Sequence, residues 1–323
     1  MTAFIYWFPH PMHKAWACTV TDKHVPIVPS FLLRLRSYSA LLQIVSALTF
    51  WRCPKEDTYL LENIACVLPA WLRNPKAKRV VMNCDNFFEL YSQSRGFKRL
   101  IYDWYISKVD AYISNSEMTE KLALKNSPKV PSKVVYPGIA SKWFNIQRSN
   151  NNSIAHGMSG HQKQKGSDKM LKAFKQIKKG TLYLIGPAVG DMADYKPTKN
   201  VILTGWTDKP EEYLKKCSIF INHSRFEPFG MNIVEAMAAG FAPIVSENCG
   251  AKTLVEQIDK NLIIKNNVLD NIKWLNTGNR KQVLGIKAKS IAVAHTIQSS
   301  EDEFKKKFKE VVNDVNSKRF KKQ

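Results

Sequence analysis

The chain has 323 residues, 44% of them hydrophobic, and carries 49 Lys and Arg against 27 Asp and Glu, for a net charge of +22. That length and apolar content exclude a disordered or fibrous chain and allow two domains, each with its own core. The cation excess concerns partners and not fold: it favours nucleic acid, an anionic membrane surface or a phosphorylated substrate.

In chain order, residues 1–8 are apolar but lack a basic leader and run into Pro9-His10-Pro11, so no cleavable signal is expected. An apolar stretch, 37–51, follows Arg34 and Arg36 and precedes Arg52. It falls short of the ~20 residues a spanning helix needs. It therefore reads as a buried helix of the first domain or as a helix lying in a membrane interface, anchored by Arg34, Arg36, Trp51 and Arg52. Runs rich in β-branched and aromatic residues at 3–8, 58–61, 79–82 and 111–114 predict strands, and 97–108 and 117–125 predict helices. A further strand is expected at 133–136, before the Pro137-Gly138 turn that marks a domain boundary.

Beyond that turn the alternation is cleaner. Strands are expected at 153–156, 181–185, 201–204, 219–222 and 242–246, and helices at 167–178, 211–216 and 231–239. Strands separated by helix-length segments predict parallel sheets with helices on both faces, and ligands at the carboxyl ends of the strands. The pattern gives an α/β chain of three parts: 1–138, 139–298 and 299–323. The last part opens with Ser300-Glu301-Asp302-Glu303, a capping-box pattern, and sets Phe304, Phe308, Val311, Val312 and Val315 on one face of an amphipathic helix. Lys321-Lys322-Gln323 reads as a frayed tail. The six cysteines, 18, 53, 66, 84, 217 and 249, lie far apart without a Cys-x-x-Cys pair. Neither a zinc site nor a disulfide framework is expected, and a reducing cytoplasm is the simplest home.

The most informative stretch runs from Asn222 to Gly240, with Glu227 and Glu235 eight positions apart around Pro228-Phe229-Gly230 and Ala236-Met237-Ala238-Ala239-Gly240 closing the helix. Gly230 permits close backbone approach to a ligand. The amides at Met231 and Asn232, opening the helix, are free donors under a positive dipole end and suit a phosphate. Two carboxylates beside an anion cradle imply a partner rich in hydroxyls as well, and a nucleotide sugar has both.

These residues resemble the signature of the family 4 retaining glycosyltransferases, a Glu-x7-Glu pair in a Glu-(Gly/Pro)-Phe-Gly frame. Residues 110–117, 134–139, 165–168, 183–186 and 201–205 are similar to other segments of that family in order and spacing. The resemblance covers about 110–256. It implies the GT-B fold, two Rossmann-like doubly wound domains facing a central cleft, with acceptor recognition in the first and the nucleotide sugar in the second. It implies that Glu227 hydrogen-bonds the donor sugar and Glu235 the ribose, that the amides around Phe229, Gly230 and Met231 contact sugar and diphosphate, and that Lys165 neutralises the diphosphate with no metal or other cofactor.

The chain also departs from the family. The arginine usual a few residues before the lysine is missing from His156-Gly157-Met158-Ser159-Gly160-His161-Gln162-Lys163, so Lys163 or His161, beside Gly160, stands in as a candidate. Where relatives place a first-domain histidine, this chain has Asp85, which orients the acceptor or caps a helix. Trp206, after a strand end, edges the nucleotide base or packs in the core. His223 and His10 read as hydrogen-bonded structural histidines.

The expected function is transfer of a hexose from a UDP- or GDP-linked sugar to a hydroxyl of a glycan or lipid-linked glycan, in the cytoplasm or on the cytoplasmic membrane face. The alternative is a catalytically impaired module of the same fold that binds nucleic acid or another anionic polymer, motivated by the +22 charge and the missing arginine.

Overall fold

The structure, a computed structural model, describes residues 1–29 and 39–320; Arg34, Arg36 and the Lys321-Lys322-Gln323 tail lie outside the described residues. The chain divides into two compact units. One comprises Met1–Gly138 together with the segment from Ile297 onward, and the other comprises Ile139–Thr296.

In the first unit the strands are β1 (Thr2–Tyr6), β2 (His24–Pro26), β3 (Thr58–Leu61), β4 (Lys78–Asn83), β5 (Ala111–Ser114) and β6 (Ser132–Val134). They form one parallel sheet in the order β2-β1-β3-β4-β5-β6. Its helices are α1 (Pro11–Cys18), α2 (Ser39–Leu48), α3 (Val67–Arg73), α4 (Phe87–Gln93), α5 (Gly96–Ser107) and α6 (Glu117–Asn126). Every residue of β3 and β5 is buried, as strands covered on both faces must be. β1 ends at Tyr6 and not at Phe8 because the Trp7 and Phe8 amides turn to the Glu62 carboxylate, at 2.7 and 2.9 Å. β2 is an edge strand of three half-buried residues ending in proline, too short for its alternation to be read.

Within the 37–51 stretch Ser39–Leu48 form α2, which is two-faced: Leu42 and Ser46 are buried, while Ile44 is 58% and Leu48 70% exposed.

In the second unit the strands are β7 (Ile154–His156), β8 (Leu182–Leu184), β9 (Val201–Leu203), β10 (Ile219–Asn222), β11 (Ile244–Ser246) and β12 (Ile263–Ile264). The two-residue β12 escaped the sequence reading. All pair in parallel in the order β12-β11-β10-β7-β8-β9. Counted within the unit this is 6-5-4-1-2-3, the order of doubly wound dinucleotide-binding sheets, and the direction of winding reverses between β7 and β10. Its helices are α7 (Ser167–Phe174), α8 (Pro210–Leu214), α9 (Met231–Ala238), α10 (Lys252–Ile258), α11 (Val268–Leu275) and α12 (Arg280–Ala292).

The final helix, α13 (Ile297–Phe320), returns to the first unit and lies on its sheet with α1. It starts three residues before the expected cap. Ser300 is therefore inside the helix, and its hydroxyl donates to Tyr136 O at 2.6 Å and accepts from Trp16 Nε1 at 2.9 Å. Phe304 stacks on Trp16 with centroids 5.0 Å apart, and Phe304, Phe308, Val311 and Val315 are buried. Farther along, Arg319 pairs with Asp110 at 2.8 Å. Among the described residues no helix is long and apolar enough to cross a membrane.

Candidate functional site

Two loops leave the carboxyl ends of β7 and β10, the neighbouring strands at which the winding reverses. Residues 157–166 follow β7 and residues 223–230 follow β10. Ligands of such sheets bind in the crevice at that point, because the loops on either side diverge there.

The loops are locked together by backbone contact. Gly166 has φ +73°, and a Cβ built on it would stand 1.8 Å from the carbonyl oxygen of His223, so only glycine fits. The Arg225 amide donates to Gln164 O at 2.8 Å. The Arg225 guanidinium makes two parallel bonds of 2.7 Å to the Asp168 carboxylate and a third to the Lys163 carbonyl. That clamp holds the Asp168 carboxyl below its ordinary pKa, the hydrogen bond from Arg225 being the chief cause.

At the junction Lys165 Nζ donates to Glu227 Oε2 at 2.8 Å. Glu227 is only 8% exposed. Its own backbone bridges Cys249: the Glu227 amide donates to Asn248 O, and its carbonyl accepts from the Gly250 amide, each at 2.9 Å. Gly230 follows at φ +96°, where an added Cβ would meet Ile233 Cδ1 at 2.6 Å. It opens α9 with no side-chain cap, so Met231 and Asn232 begin a helix whose start offers amides and the positive dipole end. Asn232 Oδ1 also accepts from Asn222 Nδ2 at 3.3 Å, tying this helix start to the end of β10.

Glu235 lies a turn and a half into α9, in different surroundings. Burial pushes its carboxyl up to about 7, with Lys142 pulling the other way and Glu211 reinforcing the rise. Lys142 and Glu211 themselves pair at 3.2 Å. This pair, from the turn at Ser141–Asn145 and the first turn of α8, was missed in the sequence because no spacing links 142, 211 and 235.

Behind the loops runs a chain of buried polar side chains. The Ile221 carbonyl contacts His156 Nδ1 at 3.1 Å, His156 Nε2 contacts Ser167 Oγ at 3.3 Å, and Ser167 Oγ contacts His161 Nδ1 at 3.0 Å. Burial lowers the pKa of His156 to about 3 and that of His161 to about 4, so both are neutral at physiological pH. His161 is 1% exposed, which removes it as a stand-in for the missing arginine: it carries no charge and bonds inward. Lys163 is exposed, its amide held by Asp191 Oδ1 at 2.9 Å. Gly160 lies against Val189, within 2.9 Å of where a Cβ would be. An arginine does reach the Lys163–Lys165 turn: Arg225, supplied by the β10 loop, bonds the Lys163 carbonyl; its signal was its place two residues before Glu227.

The other expected residues stand apart from this cluster. Trp206 is 84% exposed after β9 and so is not core. Asp85 belongs to the first unit, is exposed, and accepts from the Phe87 amide at 2.9 Å at the start of α4. His10 caps α1 by accepting from the Met12 amide at 3.2 Å. His223 is half-buried, its pKa lowered to about 4 chiefly by burial.

Comparison with known proteins bears on family and fold. Residues 142–289 match the family model described as Glycosyl transferases group 1. An uncharacterized 41.2 kDa protein of the Klebsiella pneumoniae cps region is 28% identical over 193 residues, 54% of this chain and 53% of that protein. An uncharacterized glycosyltransferase of Methanocaldococcus jannaschii is 26% identical over 187 residues, 50% of this chain and 48% of that protein. The chain thus spans about half the length of these relatives. Among solved structures, Anabaena HepE in complex with UDP and glucose is similar with TM-score 0.75 at 16% identity, covering 96% of this chain and 100% of that one. Sucrose-phosphate synthase from Thermosynechococcus elongatus gives TM-score 0.72 at 16% identity over 86% and 80% of the two chains. The two six-stranded parallel sheets are those of the GT-B fold, and the Glu-x7-Glu segment lies within the residues matched by the group 1 family model.

Proposed function

We propose that the chain, whose residues 142–289 match the group 1 glycosyltransferase model, transfers a hexose from a UDP- or GDP-linked donor to a hydroxyl of a glycan or lipid-linked glycan, with retention of configuration. The observation that carries the proposal is the Lys165–Glu227 pair, set at the uncapped start of α9 where the sheet reverses. A departing nucleoside diphosphate gains charge in the transition state. Lys165 and the amides of Met231 and Asn232 are aimed at that charge, and stabilise it without a metal ion. On donor binding Lys165 exchanges Glu227 for the diphosphate, which frees the Glu227 carboxylate to accept from the sugar hydroxyls. Glu235 accepts from the ribose, and the exposed face of Trp206 edges the base. Phe229 and Gly230 supply backbone to the sugar, and Gly160 and Lys163 border the phosphates. Asp85 orients the acceptor. The acceptor oxygen attacks the anomeric carbon on the face from which the diphosphate leaves; the carbon–oxygen bond to phosphate breaks, and the leaving phosphate oxygen takes the hydroxyl proton. The site of action is the cytoplasm or the cytoplasmic membrane face.

The test is thermal stabilisation and slow donor hydrolysis with UDP- and GDP-sugars, repeated with Glu227→Gln and Glu235→Ala. Stabilisation by one donor that both substitutions weaken is expected. The +22 charge supports a second reading, a module that has lost turnover and binds nucleic acid or another anionic polymer. Salt-sensitive nucleic-acid binding with no donor effect would establish it in place of the first.

A further inference from the structure

Among the described residues the first unit exposes a set of large apolar side chains. On α2, Ile44 is 58% and Leu48 70% exposed; on α5, Phe97 is 78% and Leu100 66% exposed; Trp51, in the turn after α2, is 65% exposed. Four of these five side chains line one groove of about 710 Å³ between α2 and α5, whose lining is apolar or aromatic apart from Gln43. Scattered exposed leucines are ordinary, but a contiguous patch of this kind on a surface is a contact site.

Its charge selects the partner. Arg52 follows Trp51, and Arg95 and Lys98 open α5; all three are exposed. Lys108, at the end of α5, lies 5.8 Å from the ring centroid of Trp104. The sequence from His24 to Lys55 contains no Asp or Glu. On α5 the one carboxylate, Asp103, is taken up by Arg99 at 3.2 Å and by the Tyr91 hydroxyl at 2.6 Å. A second copy of the chain docked symmetrically on this face would bring like cations together with no acid to answer them. An anionic bilayer answers both features at once, taking the apolar side chains below its headgroups and the cations among them, with Trp51 beside Arg52 at the boundary.

We infer that the α2–α5 face of the first unit, from Ile44 to Leu48 and from Phe97 to Leu100 with Trp51 and Arg52, docks the protein on an anionic lipid bilayer. The inference deepens the reading of a lipid-linked acceptor, since the face lies on the unit to which acceptor recognition is assigned. Its test is separate from that reading: vesicle binding needs no donor, and donor stabilisation needs no vesicle.

The experiment is co-sedimentation with vesicles of phosphatidylcholine alone and of phosphatidylcholine with phosphatidylglycerol. It compares the natural protein with Leu48→Ser/Phe97→Ser/Leu100→Ser and with Arg52→Glu/Lys98→Glu. These side chains are exposed, so both variants fold, and an unchanged thermal transition checks that. The natural protein is expected to bind the anionic vesicles, and each variant to bind about tenfold less or weaker still. Binding of the natural protein should fall steeply as salt is raised, because part of the attraction is screened. Equal binding by the natural protein and the serine variant would overturn the inference. So would failure to bind anionic vesicles, or a concentration-dependent dimer that the serine variant abolishes without vesicle binding.

Discussion

Lys165 and Glu227, 62 residues apart in the chain, close a single 2.8 Å ion pair at the meeting point of the two loops that follow β7 and β10. Each group holds the other, and a diphosphate that takes the lysine would release the carboxylate. Lys165→Ala should therefore lower the turnover rate by about 10²–10³-fold, with a smaller effect on KM. Steady-state kinetics with the preferred donor checks this. A change confined to KM would show that the lysine binds donor and transition state equally.

Arg225 and Asp168 fasten those loops from outside. Both are partly exposed, at 42% and 34%, so the pair contributes modestly to stability, on the order of 1 kcal/mol. Its larger effect should be on ordering the Lys165 loop. Arg225→Ala and Asp168→Asn are each expected to weaken donor stabilisation, and the double variant to do no worse than either single one. A double-mutant cycle read by donor-induced thermal shift measures that coupling.

Gly166 has no room for any side chain, its would-be Cβ lying 1.8 Å from the His223 carbonyl oxygen at φ +73°. Gly166→Ala should cost about 3 kcal/mol or more of stability in urea unfolding, since backbone must move against backbone. Gly205→Ala is the control: Gly205 has a similar positive φ of +68° but nothing within 4 Å of its Cβ position, so it should cost only the strain of that conformation, ~1–2 kcal/mol.

The Glu235 carboxyl, pushed up to about 7 mainly by burial, gives the site a pH dependence with a definite sign. The folded state holds this proton more tightly than the unfolded chain. The group's penalty on stability is thus absent below the ordinary carboxylate range, grows as pH rises from there, and is complete above about 7. Donor affinity should move oppositely, rising through pH 7 as the carboxylate forms and can accept from the ribose. Titration of donor binding between pH 5.5 and 8.5, on the order of one proton's worth of change, checks this, and Glu235→Gln should flatten the profile.

Phe304, fully buried against Trp16, makes α13 part of the first unit's core. Phe304→Ala should destabilise by about 3–5 kcal/mol, as for aromatic truncations in other cores. A solvated helix would lose almost nothing, so urea unfolding of this variant separates the two cases.

Much of this protein was legible along the chain. Glu227, Gly230 and Glu235 lie within one strand–loop–helix segment, where spacing alone fixes which residues share a loop and which a helix. The alternation of strands and helices likewise announced two parallel sheets, because strands buried on both faces must be apolar throughout. The strands that escaped, β2 and β12, are three and two residues long, below the length at which a period can be seen. Ser300 has the sequence of a cap, yet tertiary contacts with Trp16 and Tyr136 carried the helix three residues past it.

Neighbours along the chain were enough to reveal the motif and the sheet class. Folding in space was needed to bring Arg225 onto the Lys163–Lys165 turn, to bury His161 in its neutral form, to set Lys142 and Glu211 by Glu235, and to join α13 to the first unit. Those facts turn on charge, burial and contact between residues far apart in sequence, which depend on distances in space that no local pattern encodes.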